Sequence, residues 1–267
     1  MRPLLLLAFL AAPKIADACS CATLGTIRML PGPRDSAPTN THILLEVPLT
    51  DFLAARSLKM EDLLVTLRGP KGAVPVEIAR WGEADVRWIE IAPKAPLAAG
   101  TRYVVHISVG GKDSVLGQLV TADAVDQTAP AFEGVTKATV VVEKADPGRC
   151  TTGQAYVALS VGAVKDDATP PAALRFHVWR ADDQGAVDYT QPPIATVAAR
   201  GGELLLGHPS ICSATTFVLP DRPRFKLAVK AVDLAGNASA PSLIDVSVPP
   251  PAKGRQADVD KPGGEDQ

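Results

Sequence analysis

Phe225–Val248 reads FKLAVKAVDLAGNASAPSLIDVSV. Apolar and polar residues alternate up to Val232, Asp233-Leu-Ala-Gly-Asn237 interrupts the pattern, and a second alternating run follows. A period of two argues a strand, a tight connection and a second strand, so the stretch is predicted to be the closing hairpin of an antiparallel sheet. The rest of the chain is read as what that hairpin packs against.

With 267 residues, the chain exceeds the roughly 100–150 residues of a typical domain, which predicts two. Hydrophobic residues make up 46% but aromatics only 4%, so the cores must be built mainly from Val, Ala, Leu and Ile. The 27 basic and 29 acidic residues leave no net field to draw the chain to nucleic acid or anionic lipid. Frequent punctuation by 24 prolines and 21 glycines suits many short strands better than long helices.

Residues 1–18 read as a cleaved secretory signal: Arg2 is the positive flank, Leu4 to Ala12 the apolar run, and Ala16-Asp17-Ala18 the small-x-small cleavage pattern. That run is too short for the roughly 20 residues of a membrane span, and no later segment qualifies, so no transmembrane segment is expected. The chain is therefore expected to be secreted, periplasmic or at the cell surface. Lipidation of Cys19 is the alternative, although Ala16 and Asp17 depart from a lipobox. Cys19, Cys21, Cys150 and Cys212 follow the cleavage site, and four cysteines in an exported chain allow three pairings. Cys150 with Cys212 is favoured, because both fall in one domain. Closing that loop of about 60 residues would stabilise the fold by about 4 kcal/mol on the entropy model. Cys19 and Cys21 remain open between free, modified and partner-bound states.

Taken in order, residues 19–36 form a leader, in which Pro31-Gly-Pro33 is unsuited to a sheet interior. A first sandwich is expected over 37–122, a linker over 123–129, a second sandwich over 130–248 and a disordered tail over 249–267, where the apolar content runs out. Within the first sandwich, His42–Val47, Leu63–Leu67, Val74–Ala79 and Val86–Ile91 read as strands, with a hairpin at Gly69-Pro-Lys-Gly72. Thr50 to Asp62 allows one short helix. Trp81 and Trp88 bracket a turn and read as packing residues, and His106 falls on the solvent side of its strand. In the second sandwich Val135–Val142, Gln154–Val164, Leu174–Val178, Leu204–Leu206 and Thr215–Leu219 precede the hairpin. A weak repeat links the halves, with Asp113-Ser-Val-Leu-Gly117 taken as an echo of the Asp233–Gly236 turn.

At these residues the chain resembles bacterial immunoglobulin-like and fibronectin type III-like domains. The first half is similar to the Ig-like modules of bacterial surface and S-layer proteins through Pro38-Thr-Asn-Thr41, Pro93 and Leu97-x-x-Gly100-Thr-x-Tyr103. The second is similar to fibronectin-like modules of exported proteins through Asp126-x-Thr-Ala-Pro130 and Ala231-Val-Asp-Leu-Ala-Gly-Asn-Ala-Ser239. The resemblance implies an all-β fold of two tandem antiparallel sandwiches and a role in adhesion, spacing or binding. It also implies that Tyr103 ties its hydroxyl to the backbone, which Phe225 cannot do in the second domain.

For chemistry, His42, His106, His177 and His208 occur singly, and no zinc spacing, G-x-S-x-G, phosphate loop or dinucleotide glycine pattern is present. No enzymatic activity and no cofactor are expected. Asp166, Asp167, Asp233 and Asn237, with Asp182 and Asp183, are the candidate Ca²⁺ ligands, but Asp and Asn also favour turns by bonding their own backbone, and that reading is preferred. Asn237-Ala-Ser239 matches a glycosylation sequon that also arises by chance. A mature Cys19-Ser-Cys21 start is similar to that of tissue-type metalloproteinase inhibitors, so an inhibitor or accessory role is the alternative function. A protein or polysaccharide ligand and the oligomeric state are left open.

Overall fold

The structure is a computed structural model, and it describes residues 27–32, 36–48, 59–143, 154–209 and 215–250. The signal segment, all four cysteines, most of the helix expected over 50–62 and most of the tail lie outside the described residues. Of that helix, only a single 3-10 turn at Met60–Asp62 falls within them.

The fold is all-β. In the first half, β1 (Arg28–Leu30), β3 (Ile43–Pro48), β6 (Val76–Trp81) and β7 (Val86–Pro93) form a four-stranded sheet in the order β1-β3-β7-β6. The facing sheet has the order β2-β9-β8-β4-β5, from β2 (Ser36–Ala37), β4 (Leu63–Gly69), β5 (Gly72–Ala73), β8 (Arg102–Val109) and β9 (Lys112–Thr121). Alternation sets the layers. Ile43, Leu45, Val47, Ile89 and Ile91 point from one sheet to meet Leu63, Val65, Leu67, Val105 and Ile107 from the other. Each buried Val, Leu or Ile contributes about 1.5–3 kcal/mol, so aliphatic side chains suffice here without aromatic bulk. Tyr103 joins this core and its hydroxyl accepts the Ala98 N–H at 2.9 Å, the tie the resemblance implies.

Past Thr121 the chain has no strand until β10 (Ala131–Phe132), which pairs with β13 (Val164–Lys165). The second half then has a three-stranded sheet, β11 (Val135–Glu143), β12 (Gln154–Val161) and β16 (Glu203–His208). Opposite it lies a four-stranded sheet in the order β15-β14-β17-β18, from β14 (Arg175–Ala181), β15 (Ala195–Val197), β17 (Arg224–Val232) and β18 (Ser242–Ser247). Its core joins Val157, Leu159, Leu204 and Leu206 to Phe176, Val178, Phe225 and Leu227. The hairpin predicted over Phe225–Val248 is present, with Phe225 opposite Val246 and Val229 opposite Ser242.

Three expectations need correction. Arg28–Leu30, assigned to a leader outside the sandwich, is an edge strand on β3, and Met29 packs on the first core, because three extended residues suffice for an edge. Asp113–Gly117 is not a turn but lies inside β9, since Gly110 and Gly111, at φ of 56° and 77°, already make the reversal after β8. The echo of the Asp233 turn therefore fails. Finally, residues 215–219 carry no strand, although Phe217 is fully buried against Phe225.

Candidate functional site

The two sandwiches meet side on. Along β7, Ile89 and Ile91 face the first core while Trp88 and Glu90 point to the other face of the same sheet, and Trp88 is nevertheless buried. The second domain covers that face. Trp81, Val86 and Trp88 form a separate buried cluster, with Leu44 packed against it. The Trp81 Nε1–H donates to Thr196 Oγ1 at 3.0 Å, and its ring meets His177 edge-on at 5.6 Å. A ladder of rings continues from His177 to a tilted Trp179 and then edge-on to Tyr189, where the Lys230 ammonium lies 3.8 Å from the ring centroid. Backbone groups join as well, with the His42 and Val86 N–H groups donating to the Leu234 and Thr215 carbonyls. Arg180 pairs with Glu83 at 2.7 Å at the rim. The two tryptophans thus pack as expected, but between domains.

A small cleft at this seam is lined by His42, Glu90, Arg175, His177 and Asp233. His42 Nδ1 lies 2.9 Å from Glu90 Oε1. Burial pushes the Glu90 carboxyl up, but the hydrogen bond and charge of His42, aided by His177, outweigh it and hold the group below its usual range. Burial pushes the His177 imidazole down to about 4, against the opposing pull of Glu90. Among the described residues, the lining holds no Ser, Thr or Cys to serve as a nucleophile.

The linker brings a second constellation together. Asn40 of the first domain clamps the backbone of Asp126 from both sides, donating to its carbonyl at 2.7 Å and accepting its N–H at 2.9 Å. From the second domain, Asn237 Nδ2 donates to the same carbonyl at 3.2 Å. So held, the Asp126 carboxylate meets those of Asp166, just after β13, and Asp233, just after β17, with one oxygen from each lying within 4.8 Å of the others. Asp126 is only 5% exposed and Asp233 7%.

Of the sequence candidates, Asp166 and Asp233 belong to this group, and Asn237 supports it by donating to Asp233 Oδ2 at 2.8 Å. Asp167 is exposed and stands apart, as adjacent side chains diverge. Asp182 serves its own turn through the Gln184 and Ala186 N–H groups, and Asp183 pairs loosely with Arg222. In the sequence, Asp126 belongs to the Asp126-x-Thr-Ala-Pro130 segment, which points to architecture and not to a carboxylate cluster. Its neighbours in the cluster are 40 and 107 residues away in the chain, so no local spacing signals it. Burial, before any other cause, pushes the Asp126 and Asp233 carboxyls up, and the neighbouring acids add to it.

No protein-family model and no curated protein sequence matches the chain. Among solved structures, it is similar to the N-terminal Ig1-2 module of the Drosophila receptor protein tyrosine phosphatase DLAR. Identity there is 10% and TM-score 0.29, covering 84% of this chain and 100% of that one. A second structure, of the tandem Ig repeats of Dlar, gives 10% identity, TM-score 0.26 and coverage of 82% and 96%. A pullulanase from Anoxybacillus sp. LM18-11 gives 16% identity and TM-score 0.23, covering 75% of this chain and 24% of that chain. Likeness at these scores carries no functional argument. The assignment to two tandem Ig-like sandwiches stands on the sheets and cores described above.

Proposed function

We propose that the chain is an exported, non-enzymatic two-domain Ig-like protein of the cell envelope or extracellular space. Its two sandwiches act as one stiff unit in a structural, adhesive or binding role. The observation that carries this reading is the buried Trp81–Trp88 seam, in which one domain covers a sheet face of the other and both backbones cross-bond. Interfaces within a chain that only tether domains are more polar and allow motion; tryptophan burial opposes it. The three-plus-four strand arrangement of the second domain supports a fibronectin III-like type. The signal pattern at Arg2 to Ala18 supports export. A Cys150–Cys212 disulfide fits an oxidising destination, and the strands flanking these residues, β12 and β16, are antiparallel neighbours with Ala155 opposite His208.

The test is small-angle scattering on the mature chain beside a Trp81→Ala variant. A stiff unit gives a compact profile for the wild type and a broadened one for the variant. A flexible profile for the wild type overturns the reading. Intact mass of the exported protein separates a free Cys19 from a lipidated one, and non-reducing peptide mapping checks the disulfide.

A further inference from the structure

We propose that Asp126, Asp166 and Asp233 bind a Ca²⁺ ion at the domain junction, each supplying a carboxylate oxygen from a different loop. Turn formation explains only half of what these side chains do. Asp126 Oδ1 accepts the Thr128 N–H, Asp166 Oδ1 accepts those of Ala168 and Thr169, and Asp233 Oδ1 accepts those of Ala235 and Asn237. The second oxygens are left over. Asp233 Oδ2 has Asn237, but Asp126 Oδ2 and Asp166 Oδ2 are enclosed and meet no hydrogen-bond donor among the described residues. A buried carboxylate oxygen without a partner is costly, and two beside a third carboxylate are more so. A cation in the middle would satisfy both at once.

The chemistry of the donors selects the ion. Among the described residues only carboxylates join the group, with no imidazole or thiolate, which favours a hard cation over zinc or copper. Three protein ligands leave the remaining positions of a six- to eight-coordinate Ca²⁺ to water or carbonyls. Irregular loop spacing suits that ion's tolerant geometry better than the strict octahedron of Mg²⁺. Because Asp126 is already fixed by Asn40 and Asn237, binding stitches the linker onto the second domain.

The test uses the full mature chain, stripped with EDTA and melted with and without about 10 mM CaCl₂, above the roughly 10⁻⁴–10⁻³ M dissociation constants of extracellular Ca²⁺ modules. Ca²⁺ is expected to raise the melting midpoint by about 5 °C. MgCl₂ at the same ionic strength should raise it distinctly less. Asp126→Asn and Asp166→Asn should abolish the Ca²⁺ shift, while melting in EDTA at or above the wild-type midpoint because a buried charge has been removed. Should Asp126→Asn fail to fold, Asp166→Asn, on a partly exposed loop, decides alone. No Ca²⁺ shift in the wild type, an equal Mg²⁺ shift, or a shift that survives in Asp166→Asn overturns the proposal. The scattering test of domain stiffness is run in EDTA, so the two readings fail separately.

Discussion

Tyr103 and His177 show how single residues carry both what was expected and what was not. The Tyr103 hydroxyl reaches back to the Ala98 N–H, and Tyr103→Phe should cost about 0.5–1.5 kcal/mol in chemical denaturation, with water replacing part of the bond at exposed Ala98. His177 has no counterpart in sequence patterns, because a lone histidine on a strand becomes special only when Trp81 of the other domain closes over it. Its folded pKa lies near 4, below the unfolded 6.5, so between these values the unfolded chain binds the extra proton. Stability is therefore full above about pH 6.5 and is lost as pH falls towards 4, by up to about 3 kcal/mol. Glu90, with its pKa held low, adds a loss in the same direction at still lower pH. Unfolding midpoints across pH 4–7 should fall for the wild type and flatten for His177→Gln. An unchanged slope in that variant rules out His177 as the source.

At the scale of an element, the loop after β17 joins three tasks in nine residues, from Asp233 to Pro241 before β18 begins. Asp233 organises the turn, Leu234 accepts bonds from Thr41 and His42, and Gly236 sits against the His42 ring. Gly236 has φ of 83°, and a Cβ there would come within 2.6 Å of the His42 ring. Gly236→Ala should destabilise by about 2–3 kcal/mol from backbone strain and overpacking. Adding His42→Ala should recover the steric part only, leaving about 1 kcal/mol of strain, as a double-mutant cycle would read. The strand pair itself was legible because Phe225–Val248 alternates cleanly. The Asp113 segment misled for the opposite reason: an Asp-to-Gly string resembles a turn, but Gly110-Gly111 had already reversed the chain.

For the whole molecule, the seam predicts coupled unfolding. Calorimetry of the wild type should give one transition, and Trp81→Ala should split it or lower its cooperativity, since the variant removes an aromatic face and leaves Thr196 Oγ1 without its donor. Trp81→Phe, which keeps most of the packing, should cost only about 1–2 kcal/mol and leave a single transition. Two resolved transitions in the wild type would show that the domains melt independently despite the shared surface.

Alternation and turn chemistry, both local properties, determined the all-β class, most strand positions and the turn role of Asp233, while the tie at Tyr103 followed from the family resemblance of its segment. Three things were decided only by tertiary structure. The outer face of β7 is buried because a second domain lies on it, which no periodicity within one strand can encode. Arg28–Leu30 is a strand because β3 offers it an unpaired edge. Asp126, Asp166 and Asp233 meet because the linker is clamped by an asparagine from each domain. Local preference fixes where a side chain points along its own strand, whereas burial, lost hydrogen bonds and shared charge depend on what the fold brings opposite it.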